Sequence, residues 1–247
     1  SRIQLFVYKD RVGLGRNMNR LNYLTSKDSE LIAVAEQDDY YYPDRLELQI
    51  KYLYDNPSKG LVSAIAEFYD GNKVTCLFPG LLVSGSEYPV GREMFLFTYL
   101  EQTKVVNSCM MFRKKIHEGN GLYFSTHYPN LAIDWEYLLR FSLVSEIGGI
   151  NKILIRMDRS HNRNSITQNR NNFNSAAREL LKNFKYEYPN VILRKHYIYA
   201  LNTQRLIELG HYSGFMFLFY ILSYIFVNPL EKRFYSYFIK RIKRYLR

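Results

Sequence analysis

The chain has 247 residues, 47% hydrophobic and 16% aromatic, which is enough apolar material for one sizeable core and does not fit a disordered chain. Its formal net charge of +11 puts nucleic acid or an anionic membrane among the partners to consider. Its two cysteines, Cys76 and Cys109, form no CxxC pair and suggest neither a zinc site nor a disulfide framework, so a reducing cytosol fits best. The opening residues contain no apolar stretch long enough for a signal peptide.

Residues 3–8 read as a strand leaving for a glycine loop, and Met18, Leu21 and Leu24 recur at helical spacing over residues 16–24. Residues 31–35 (LIAVA) are a continuous apolar run of strand length that stops abruptly at Glu36-Gln37-Asp38-Asp39. Pro43 fits a first helical turn, with Leu46, Ile50 and Leu53 continuing the helix until Asn56-Pro57. Strands are expected at 61–68, 105–112 and 153–157, and helices at 134–145 and 175–184, with residues 69–103 less regular. This alternation indicates an α/β domain with a largely parallel sheet over residues 1–170, followed by a helical segment over 171–247.

Open α/β sheets bind ligands outside the carboxyl ends of their strands, which makes the acids after LIAVA candidate site residues. Carboxylate oxygens suit hard Mg2+ or Mn2+ bridging to phosphates. The stretch LIAVAEQDDYYYPDRLELQ resembles the core of family 2 glycosyltransferases of the GT-A fold, in which an apolar strand runs into D-x-D-D, aromatics and P-x-x-L-x-x-Q. Three further segments are similar to that family in order: Gly15-Arg16-Asn17 to its G-x-x-R-N loop, Asp134-Trp135-Glu136 with Leu138 and Arg140 to its E-D-W-x-L-x-x-R segment, and residues 159–167 to its R-x-H-x-x-x-S-[IV]-[ST] segment.

The resemblance implies a GT-A-like sheet flanked by helices and an inverting transfer of sugar from a nucleotide-sugar donor to a glycan or lipid-linked acceptor, in cell-surface polysaccharide synthesis. It assigns Asp38 to the metal and Asp134 to the catalytic base. Arg16, Asn17 and Glu36 go to the donor nucleotide and its metal, and His161 lies near the metal and diphosphate. Glu36 replaces the family's first Asp, and Ile133 replaces the Glu before its base. The chain enters the family pattern at about the third strand, so the first strands are expected to be missing. A non-catalytic GT-A-like scaffold at the membrane is the alternative.

The C-terminal charge pattern favours a membrane over nucleic acid. Residues 231–247 hold seven Lys or Arg and one acid, beside an apolar stretch at 215–227 that is too short to span a bilayer simply. On a helical wheel Phe234, Phe238, Ile242 and Tyr245 lie together with Tyr235, Ile239 and Leu246, opposite the basic residues. That pattern suits a helix lying on an anionic membrane surface, here the cytoplasmic face, and no recognition-helix, zinc or RNP motif supports nucleic acid. An oligomer is compatible with all of this.

Overall fold

A computed structural model describes residues 3–128, 132–160 and 170–245. The elements follow as α1 (Leu14–Leu24), β1 (Leu31–Ala33), β2 (Asp39–Tyr41), α2 (Arg45–Asp55), β3 (Lys59–Tyr69), β4 (Val74–Phe78), α3 (Gly80–Val83) and α4 (Gly91–Glu101). After a 3-10 turn at Asn107–Cys109 come β5 (Met111–Arg113), α5 (Lys114–Gly119), α6 (Ile133–Val144) and β6 (Glu146–Asp158). Four helices complete the chain, α7 (Arg170–Glu187), α8 (Arg194–Leu209), α9 (Gly214–Val227) and α10 (Lys232–Tyr245). Two compact units are formed, residues 1–176 and 177–247.

The first unit is built on one sheet of order β1-β5-β3-β6-β2, with β4 paired to β3. The expected α/β class with flanking helices is present, but the strand directions are more mixed than the expected mostly parallel sheet. Among the described residues only β3 and β6 pair in parallel, and the other pairings are antiparallel. The reason lies in β5, which enters directly from the 3-10 turn and inserts, reversed, between β1 and β3. Because β5 is antiparallel to both, β1 and β3 still run the same way, as helix-linked strands should.

Side-chain alternation along β3 divides the core. Leu61 and Ile65 join Met94 of α4 and Tyr137, Leu138 and Phe141 of α6 on one face. Val62 packs with Leu53 of α2, and Ala64 and Ala66 lie in the cluster that Leu48 of α2 covers. Burial on both faces is what a continuous apolar strand such as residues 61–66 requires. The only tryptophan, Trp135, ties α6 to α4 by donating its Nε1–H to the Thr98 carbonyl at 2.8 Å.

Residues 3–8, read as a strand, form no regular element, and Leu5 and Val7 are exposed. An apolar run without a sheet edge to join gains nothing from extension alone. The glycine loop does lead into a helix. Gly13 precedes α1 with φ 88°, a conformation suited to glycine, and Gly15 brings the helix onto the backbone of Ser125. Asn19 completes that contact, donating to the Phe124 carbonyl and accepting from the Phe124 N–H, both at 2.8 Å.

In the second unit, Leu209, Phe217, Ile221 and Phe234 make a small core among α8, α9 and α10. Buried Glu208 is held from three sides: Arg178 engages both carboxylate oxygens, Gln204 donates at 3.0 Å and Tyr224 at 3.3 Å. A buried carboxylate needs such partners to remain charged.

Gly15→Ala would place a Cβ 2.2 Å from the Ser125 carbonyl oxygen, which as backbone cannot swing away. We expect a loss of about 1–3 kcal/mol, typical of overpacking, read as a lower urea midpoint at unchanged slope. Gly119→Ala, with open space around the new methyl, should leave the midpoint in place.

Candidate active site

The apolar strand end holds its loop through buried hydrogen bonds to backbone. Arg45 donates from Nη2 to the Val34 carbonyl at 2.6 Å and from Nε to Gln49 Oε1 at 3.0 Å. Gln49 in turn donates to the Cys109 carbonyl at 2.6 Å. One turn of α2 thereby joins the end of β1 to the 3-10 turn before β5, and both side chains are buried. The Arg45 guanidinium also lies 4.5 Å over the Tyr41 ring. Tyr41 folds back on the loop, its hydroxyl accepting the Glu36 N–H and donating to the Glu36 carbonyl at 3.0 Å. Burial raises the Tyr41 hydroxyl to about 12, so it stays a donor at neutral pH.

On this frame Glu36, Asp38 and Asp39 each turn a carboxylate oxygen toward the others, all within 4.8 Å. Asp39 is set by strand register, opposite Met157 in the antiparallel β2–β6 pair. Asn107 donates to Glu36 Oε1 at 2.8 Å. The Glu36 pKa is raised, first by burial and then by the negative charges of Asp39, Asp38 and Asp134, while the Asn107 hydrogen bond opposes the rise. Asp134 is therefore within electrostatic reach of the loop acids. It stands in the first turn of α6, where the backbone N–H groups of Asp134 and Trp135 bond its carboxyl. The residue keeps some solvent exposure, but its carboxyl is crowded by protein, and burial raises its pKa despite those hydrogen bonds. The cap of this helix, Ala132, holds φ 53°, a left-handed conformation that costs a non-glycine residue energy.

The sequence-read residues thus fall into three groups. Glu36 and Asp38 come together, with Asp39 as a third acid, and Asp134 faces them electrostatically. Arg16 and Asn17 are exposed on the first turn of α1, and no hydrogen bond joins them to the acids among the described residues. His161 lies outside the described residues. Asn107, Tyr41, Arg45 and Gln49 were not singled out by sequence as site residues. Gln49 was visible as the last member of the P-x-x-L-x-x-Q pattern, but Asn107 carries no local signal, because only the fold brings it beside Glu36.

The raised Asp134 pKa has a consequence for stability. A carboxylate whose folded pKa lies above its unfolded value of about 3.9 stabilises the fold below that pH and loses the contribution as pH rises through the folded pKa. Asp134→Asn removes the ionisation. Its melting temperature should equal or exceed that of the parent at pH 7, and the difference should fall in the parent's favour as the pH drops below 4.

No protein-family model matches the chain, and no curated protein matches it. Among solved structures, the crystal structure of S. aureus TarS 1-349 superposes with a TM-score of 0.52 at 15% identity, covering 91% of this chain and 56% of that one. The same protein in complex with UDP-GlcNAc gives a TM-score of 0.54 at 15% identity, covering 90% and 56%. This chain spans little more than half the length of those chains. The likeness shows that this chain shares the α/β fold of that protein.

Proposed function

We propose that the chain carries the acidic centre of an inverting glycosyltransferase that uses a nucleotide-sugar donor. The observation that carries this reading is the convergence of Glu36, Asp38 and Asp39 at the end of β1 with Asp134 at the start of α6. The TarS complex with UDP-GlcNAc supports a donor of the same class. The acceptor is a glycan or lipid-linked hydroxyl.

The acids suit a hard divalent cation. Oxygens at about 2.1 Å from one ion lie up to about 4.2 Å apart, comparable with the spread of this cluster. Asn107 adds a buried Oδ1 with no hydrogen-bond partner, beside the oxygen of Glu36 that its amide holds. Mg2+ or Mn2+, when bound, would neutralise charge on the departing nucleoside diphosphate. Asp38 is the principal ligand, with Glu36 and Asp39 beside it.

Asp134 performs the proton transfer. As the acceptor oxygen forms its bond to the anomeric carbon, the bond to the donor phosphate breaks and the hydroxyl proton passes to the Asp134 carboxylate. Attack opposite the leaving group inverts the anomeric configuration. A raised pKa, caused by burial, makes Asp134 a stronger base than an exposed aspartate. Tyr41, Arg45 and Gln49 hold the loop, so the acids need not reorganise when charge develops.

With UDP-GlcNAc as donor probe and Mn2+ present, Asp134→Asn should lower turnover by about 10²–10⁴-fold at nearly unchanged donor affinity. Asp38→Ala should instead abolish the effect of Mn2+ on donor binding, measured by calorimetry. Normal turnover in the Asp134 variant would remove it as base. Donor binding by the parent without any turnover of this or other nucleotide sugars would return the non-catalytic scaffold reading.

A further inference from the structure

Helix α9 is apolar all round, and only one side of it is used. Phe217 and Ile221 face the core with Phe234 of α10. At i, i+4, i+7 and i+11 on the opposite side, Phe215, Phe219, Leu222 and Phe226 form a stripe that is exposed, Phe226 to 86% and Phe215 to 78%. Helix α10 repeats the arrangement. Phe234 is buried, while Tyr235, Ile239 and Ile242 line an exposed stripe at i, i+4 and i+7. The wheel expectation that Phe234 and Phe238 lie on a membrane face is corrected here, since both pack against α9 and cover its core side.

The two exposed stripes border one groove, Leu218 lying next to the stripe of α9 and Ile242 within that of α10. A groove of about 350 Å³ between the helices is lined by Leu218 of α9 and Ile242 of α10, so both helices open toward the same side. Soluble monomers rarely expose so large an apolar face. Its surroundings decide what covers it. Lys232 and Lys243 are exposed on α10 at the flank of the stripe, with exposed Lys240 further round the helix, and residues 231–247 carry seven basic side chains against one acid. A second copy of this chain would bring that charge against itself. An anionic surface would complement it.

We propose that the outer face of the α9–α10 hairpin lies in the interface of an anionic lipid bilayer, the phenylalanines of α9 entering the acyl boundary while the lysines of α10 meet headgroup phosphates. The geometry is in-plane. Fourteen helical residues rise about 21 Å, short of a hydrocarbon core of about 30 Å. No helix among the described residues is long and apolar enough to cross a membrane. An apolar face with basic flanks is the arrangement of interfacial helices. The attachment is independent of the transfer chemistry and is read without it.

The test is flotation of the intact chain with vesicles of phosphatidylcholine alone or with a third phosphatidylglycerol. The parent should float with the anionic vesicles and at least tenfold less with the neutral ones, and high salt should weaken it. Each lysine near the surface is worth about fivefold in partitioning, so Lys232→Glu with Lys243→Glu should reduce binding by 25-fold or more. Phe219→Ser with Phe226→Ser changes only outward side chains and should abolish flotation while leaving the circular-dichroism melt unchanged. Equal flotation of the parent and the phenylalanine variant would overturn the proposal, as would a parent that fails to float. So would a parent that sediments as a dimer and a phenylalanine variant that sediments as a monomer, neither binding vesicles, which would assign the face to a second copy.

Discussion

The buried pair Arg45 and Gln49 is the constraint on which the candidate site depends. A guanidinium and an amide in the interior cost more in lost hydration than they return unless their hydrogen bonds are made, and here they are made to the carbonyls of Val34 and Cys109. Those carbonyls belong to segments far apart in sequence, one leaving β1 and one entering β5. Their satisfaction therefore fixes the relative position of the loop that carries Glu36 and the turn that carries Asn107. Burial and, after it, the repulsion of neighbouring like charges raise the Glu36 pKa, and a less firmly tied loop would relax the acids apart.

The same logic explains the burden on α6. Its first turn presents Asp134, its indole is tied to α4, and its body fills the core against β3. The left-handed Ala132 is tolerated because the helix behind it is held so firmly. Energy stored in a cap and in a crowded carboxyl is balanced by packing some distance away.

Much of this was legible in the chain itself, for physical reasons. Residues 31–35 announced a strand, because no polar side chain interrupts them, and the acids that stop the run mark its carboxyl end. Burial on both faces is not what they meet: β1 stands at the end of the strand order, with Ile32 and Val34 buried and Ala33 and Ala35 exposed. Helices α1 and α2 followed from periodic apolar positions. The short strands β2 and β4 did not, since three to five residues show too little alternation to separate from a loop. Strand directions also escaped, because pairing is decided by which distant segment inserts, and β5 gives no sign in its own residues that it runs between β1 and β3. Asn107 was unreadable for the same reason. In α10 the periodicity was right but its target was not. Amphipathicity says that one side of a helix is buried, and a neighbouring helix satisfies it as well as any other apolar phase.

The antiparallel pairing of β2 with β6 makes chain length, as distinct from chemistry, part of the site. Asp39 stands opposite Met157, and side chains along a strand alternate faces with a period of two. A one-residue insertion within residues 40–42 or 154–157 would shift that register and turn Asp39 to the other side of the sheet, although every acid remained in the sequence. Conservative exchanges along β2 leave the register alone. The spacing between the acids and the strand that follows them is therefore as much a part of this centre as the acids themselves, and so is the hydroxyl of Tyr41 that ties the strand back to Glu36.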